Sequence, residues 1–169
     1  MISRTPDIGS FRKNPLRISL AGGMLWLSVY DAMEGKMNPE QFGEMVRSTT
    51  EAPMLKKHFH KQKTFDRKTQ KKKTAKNKLA NSASDCEFNW NTELILVRDE
   101  NEYTMIYHRC GLCALGKQEH HEELIPYMCA LDYEIIALLG GVLKRKGTIA
   151  TCAERCDFYL CKKGLKWDT

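Results

Sequence analysis

The strongest constraint on this chain is a change of hydrophobic period at Asn81-Ser82-Ala83-Ser84-Asp85. Upstream of it apolar residues recur at helical spacing, and downstream short β-branched and aromatic runs are punctuated by turn residues. Helices followed by strands predict an α+β fold. At 169 residues the chain suits a single domain, 1–169, with a helical part over 1–80 and a hairpin-helix-hairpin part over 90–162.

In the helical part, Asn14-Pro15 reads as an N-cap followed by the first helical residue, and Leu16, Leu20, Met24 and Leu27 carry an apolar face to about Met33. Gly22-Gly23 inside it predicts the close approach of another element. Asn38-Pro39-Glu40-Gln41 repeats the start signal as a capping box, and Pro53 is expected to end that second helix. Met54 to Leu79 is rich in helix formers and poor in apolar residues, which predicts a third, solvated helix.

Charge is concentrated in the same region. Lys56 to Lys78 holds 11 Lys/Arg against Asp66 alone, so this basic segment (residues 56–78) carries +10 while the rest of the chain carries −4 of the net +6. Such a run reads as a solvated helix face. With only Phe59 and Phe65 available to stack on bases, nucleic acid is not an expected partner. No membrane partner is expected either, because the longest uncharged run, Ile18 to Tyr30, falls short of the ~20 residues that span a bilayer. Arg12, Lys13 and Arg17 before that run imitate a signal peptide, but Tyr30-Asp31-Ala32-Met33-Glu34 offers no small-x-small cleavage site. Seven cysteines, an odd number spaced unlike a disulfide framework, predict free thiols in a reducing cytoplasm.

In the second half, Leu94-Ile95-Leu96-Val97 and Tyr103-Thr104-Met105-Ile106-Tyr107 read as a hairpin joined by Arg98-Asp99-Glu100-Asn101-Glu102. Gly111 and Gly116 punctuate the chain ahead of a helix from about Lys117. Pro126 marks a kink or boundary in that helix, and a further helical piece runs from Cys129 to Leu139. Val142 to Ala150 and Cys156 to Cys161 are expected as final strands around the turn Cys152-Ala153-Glu154-Arg155. The predicted architecture is thus N-terminal helices packed on an antiparallel sheet made of two hairpins separated by a helix.

Several residues could carry chemistry. Cys129 and Asp132 are spaced i, i+3, so a helix presents thiol and carboxylate on one face, although a small buried Cys beside a capping Asp fits the same spacing. Alternation sends Cys156 and Phe158 to one face of the last strand and Asp157 to the other. Arg145 and Thr148, three apart on the preceding strand, share a site only through a bulge or from the strand end. Cys110-Gly-Leu-Cys113 with Cys152 and Cys156 offers a zinc alternative, but a second standard ligand pair is missing, so no cofactor is the primary expectation. A thioredoxin-like role for the Cys110, Cys113 dithiol lacks its βαβ setting. His120-His121, among Glu119, Glu122 and Glu123, is expected in an exposed helical turn.

Four blocks in order, Arg109-Cys110, Leu124-Ile125-Pro126-Tyr127-Met128-Cys129-Ala130-Leu131-Asp132, Lys144-Arg145-Lys146-Gly147-Thr148-Ile149-Ala150 and Cys156-Asp157-Phe158, resemble the L-2-amino-thiazoline-4-carboxylic acid hydrolase family. That family shows C-x-x-D, then R-x-x-T, then a terminal C-D-F. The resemblance implies hydrolytic opening of a cyclic amidine toward a carbamoyl-cysteine, a reaction at carbon-nitrogen bonds of a small-molecule substrate. By position it implies Cys129 and Asp132 as catalytic residues, with Arg145, Thr148, Cys156 and Asp157 binding substrate. Arg145 would hold the substrate carboxylate, while either Cys129 attacks the ring carbon or Asp132 activates water. One departure is Cys152 with Ala153, where the family usually has Gly. The terminal hairpin is also similar to 4-vinyl-reductase-type domains, which makes a non-catalytic small-molecule-binding or sensing module the alternative, with a cysteine-based metal protein as the second; self-association as a homo-oligomer stays open.

Overall fold

The computed structural model describes residues 5–83, 85–97 and 99–165; Ser84 and Arg98, expected in turns, lie outside the described residues. Helix α1 spans Arg17–Ala32, later than Asn14-Pro15 suggested, and has no side-chain cap. Asn14 is instead fully buried. Its Nδ2 donates to the Ile8 carbonyl (2.9 Å) and to Asn89 Oδ1 (2.7 Å), and Asn89 Nδ2 donates to the Ala80 carbonyl. The residue clasps the N-terminal segment to the junction between the helical and strand parts.

Helix α2, Pro39–Ser48, begins with the expected capping box of Asn38 and Gln41. It ends before Pro53, which opens helix α3 (Pro53–His60), since proline's missing N–H costs nothing in a first turn. The single solvated helix expected after it is divided: helix α4 spans Arg67–Asn81, capped by Asp66, whose carboxylate accepts from Thr69 N at 2.8 Å. The break seats Phe65 against Tyr103, ring centroids 6.0 Å apart.

Strands β1 (Asn91–Leu96) and β2 (Glu102–Arg109) form the first hairpin. Helix α5 spans Gly111–Glu119, so Gly111 and Gly116 lie inside the helix and not ahead of it. Helix α6, Ile125–Leu138, holds Pro126 in its first turn, without a kink. Strand β3 covers only Gly141–Lys144 and β4 covers Cys156–Lys162. The expected strand to Ala150 is therefore shortened: beyond Lys144 the chain leaves the sheet, and Ile149–Thr151 forms a 3-10 turn.

The four strands lie in the order β1-β2-β4-β3, every neighbour antiparallel. Tyr103, Met105 and Tyr107 point to one face with Leu160, Phe158 and Cys156 opposite them, and the helices cover that face. A helical core gathers Leu20, Phe42, Leu115 and Leu124, a second core joins Ile136 to the sheet, and Tyr107 packs against both. Gly23 provides the expected close approach, against Leu112 and Leu115 of α5, whereas Gly22 meets nothing. His121 does not lie in an exposed turn: it follows the left-handed residue His120 and bonds Asp31 (2.6 Å) at the end of α1. Burial pulls its imidazole down, but hydrogen bonds to Asp31 and Glu123 outweigh this and raise it above the usual histidine range. Among the described residues no helix is long and apolar enough to cross a membrane.

Candidate functional site

Three of the residues singled out in sequence meet where α6 passes the end of β3. Helical spacing sets Cys129 and Asp132 one turn apart on α6, and Arg145 follows the last residue of β3. The Arg145 guanidinium donates from Nη1 to Asp132 Oδ2 at 3.1 Å and from Nη2 to the Cys129 carbonyl at 2.9 Å. It also lies 4.6 Å from the Tyr133 ring centroid and 5.3 Å from that of Phe158. Aromatic faces and two acceptors fix such a planar cation in one orientation.

The remaining three hold the loop that delivers Arg145. Asp157 Oδ1 accepts from Lys146 N (3.1 Å) and Gly147 N (3.2 Å). Thr148, nearly fully buried, caps the 3-10 turn in a reciprocal box with Thr151. Cys156 Sγ accepts from Ile149 N at 3.2 Å. Arg145 and Thr148 both lie past the end of β3, the strand-end route that sequence allowed, and not on a bulged strand. In this arrangement Thr148, Cys156 and Asp157 act on the backbone of residues 146–153.

Electrostatics separates the candidates. Arg145 is almost enclosed, with 9% of its side chain exposed, while Asp132 keeps 36% of its side chain open, so the carboxylate faces an opening. Burial nevertheless raises the Asp132 carboxyl to about 6, with Arg145 pulling the other way. Arg145 occupies Oδ2, and Oδ1 has no protein partner among the described residues. Burial, reinforced by the charges of Cys110 and Asp132, pushes the Cys129 thiol up to about 12. Burial likewise raises Cys156 to about 11, against the hydrogen bond from Ile149 N.

Cys110 behaves differently. It occupies the N-cap position of α5 without a side-chain cap bond, and the adjoining Cys113 thiol and the N–H groups of the first turn hold its thiol below the ordinary range despite burial. Cys113 is correspondingly raised, because its proton is shared with Cys110. Tyr107 was visible in sequence only as a strand residue. Its phenol is raised by burial and by the nearby charges of Asp132, Cys110 and Cys156, which marks it as a wall of the site. The signal available in sequence was its place in the period-2 face Tyr103, Met105, Tyr107.

Among the described residues no cysteine forms a disulfide. Cys152 is exposed in a left-handed turn residue, and with Cys113, Lys117 and Ile149 it lines a cleft of about 350 Å³ between α5 and the loop. A side chain is thus tolerated where the family usually has Gly. Among the described residues no three His, Cys, Asp or Glu side chains are placed to hold a metal. The thiols proposed for zinc are divided: Cys110 and Cys113 adjoin each other, Cys156 receives Ile149 N, and Cys152 lies at the surface.

Residues 19–160 match the family model described as L-2-amino-thiazoline-4-carboxylic acid hydrolase. No curated protein and no solved structure matches the chain.

Proposed function

The chain belongs to the L-2-amino-thiazoline-4-carboxylic acid hydrolase family, and from that premise we propose that it opens a small cyclic amidine, L-2-amino-thiazoline-4-carboxylate or a close relative, with Asp132 as general base. The observation that carries this reading is the partly exposed Asp132 carboxylate, with one oxygen fixed by Arg145 and the other without a protein partner among the described residues. A carboxyl near 6 is ionised at neutral pH and still a competent proton acceptor.

In this mechanism Asp132 takes a proton from water while the water oxygen bonds to the amidine carbon, and the electron pair of the C=N bond moves onto nitrogen. The hydroxyl proton of the tetrahedral intermediate passes to that nitrogen, the oxygen forms the C=O bond as the ring carbon–sulfur bond breaks, and the departing sulfur receives the proton from Asp132, which gives a carbamoyl-cysteine with a free thiol. Arg145 is a positioning residue, because two of its N–H groups are already committed to Asp132 and the Cys129 carbonyl. The direct thiol route through Cys129 is disfavoured, because burial raises the thiol far above the Asp132 carboxyl and leaves the carboxylate a poor acceptor for its proton. Cys110, the thiol held toward its anion, carries the second reading, a covalent route. Free thiols throughout support a reducing, cytoplasmic setting.

The test is ring opening followed by the mass gain of one water. Asp132→Asn is expected to lower kcat about 10²- to 10⁴-fold, the usual contribution of a general base, while Cys129→Ala retains most activity. Loss of activity in Cys110→Ser, together with a covalent adduct trapped on Cys110 of the wild-type protein, would transfer the role to Cys110. Absence of turnover in a well-folded protein would leave a small-molecule-binding module.

A further inference from the structure

Helix α4 packs on the sheet with a polar inner face. Gln70 is buried, and Lys73, Thr74 and Asn77 continue the same stripe at helical spacing to the buried Ala80. A helix laid on a sheet ordinarily turns apolar residues inward. Here Lys73 and Asn77 of this stripe border a cavity of about 510 Å³, floored by Thr92, Met105 and Tyr107 of the sheet and flanked by Lys63 and Lys76.

Lys73 is the unusual member of this lining. It is half-buried, its Nζ lies 5.6 Å from the Tyr103 ring centroid, and it makes no ion pair among the described residues. Burial holds its ammonium below the ordinary lysine range. Nearby, the Tyr103 hydroxyl and Gln70 Oε1 are buried without a hydrogen-bond partner. An unpaired, partly desolvated cation is costly unless something completes it. A small anion does so: a carboxylate restores the full charge of Lys73 and accepts its hydrogen bonds. Tyr107 connects this cavity to the reacting end, since it lines the cavity and also feels the Asp132 charge.

We propose that the cavity between α4 and the sheet binds a small ring carboxylate, with Lys73 anchoring the carboxylate and the ring lying against Tyr107, on the side of Asp132. This deepens the hydrolase reading by assigning the substrate's acidic group to Lys73 and not to Arg145. The cationic segment then has a division of labour, with Lys73 facing inward and Lys71 and Lys72 facing solvent.

Calorimetry on the full chain decides it, using two probes: L-2-amino-thiazoline-4-carboxylate, and L-pyroglutamate, which keeps a five-membered ring and carboxylate but has no amidine. Both are expected to bind wild type, with Lys73→Met weakening each at least tenfold, Lys73→Arg binding within about threefold of wild type, and Lys72→Met unchanged. Comparable binding by Lys73→Met and wild type, or failure of both ring acids to bind wild type, overturns the proposal. If both acids bind through Lys73 but the thiazoline is never opened, the hydrolase reading falls and the carboxylate site stands. If the thiazoline is opened and Lys73→Met leaves KM unaltered, the hydrolase reading stands and this one falls.

Discussion

The chemistry of single side chains here is set more by neighbours than by residue type. Cys129 and Asp132 look like equal partners in sequence, yet burial drives the thiol to about 12 and the carboxyl only to about 6, so they are in opposite condition at neutral pH. A general base must be ionised, so kcat/KM is expected to rise with pH through an inflection near 6 and then level off, and a pH-rate profile reads this directly. In Asp132→Asn that limb should vanish. The same elevation acts on stability with the opposite sign. The Asp132 contribution is fully present below the unfolded carboxyl value, ~3.9, and is lost as pH rises through about 6, because ionising the group inside the fold costs more than in the unfolded chain. Sequence spacing could reveal that Cys129 and Asp132 share a face. It could not reveal which is charged, since that depends on Arg145, Cys110 and Tyr107 converging from other elements.

At the scale of elements, what was legible followed from local rules. The Asn38-Gln41 box, the β1-β2 hairpin and the helical placement of Cys129 and Asp132 each rest on contacts within a few residues. The misread segments are those that tertiary packing decides. Residues 61–66 have helical composition but break so that Phe65 reaches Tyr103, with Asp66 as the overlooked cap signal. Residues 145–150 have strand-like composition but leave the sheet because Asp157, Cys156 and Thr148 hold their backbone, and Gly147 was the available hint. Helix α5 was started too late because its opening glycine reads as a break. Gly111 is required there by close packing: a methyl at that position would overlap the Phe88 carbonyl and crowd Trp90. Gly111→Ala is therefore expected to destabilise the fold by about 1–3 kcal/mol, seen as a lower denaturation midpoint at unchanged m-value. Because Cys110 caps this helix, its alkylation rate should change with it.

For the molecule as a whole, the Asn14 to Asn89 bond ties the N-terminal segment to the residues that lead into β1. Its partners are 75 positions apart in the chain, whereas the capping boxes and the first hairpin close over short spans. Closing so long a loop sacrifices entropy before any contact repays it, which places the clasp late on the folding route. Asn14→Ala would leave Asn89 Oδ1 buried without its donor, a loss of about 1–3 kcal/mol. An interaction absent from the transition state affects only the exit from the native well. In a chevron experiment the variant should keep the wild-type refolding arm, and its unfolding arm should lie roughly 5- to 100-fold higher. The buried asparagine pair thereby acts as a latch on lifetime: it governs how long a folded copy survives between openings, and hence its resistance to a protease that waits for them.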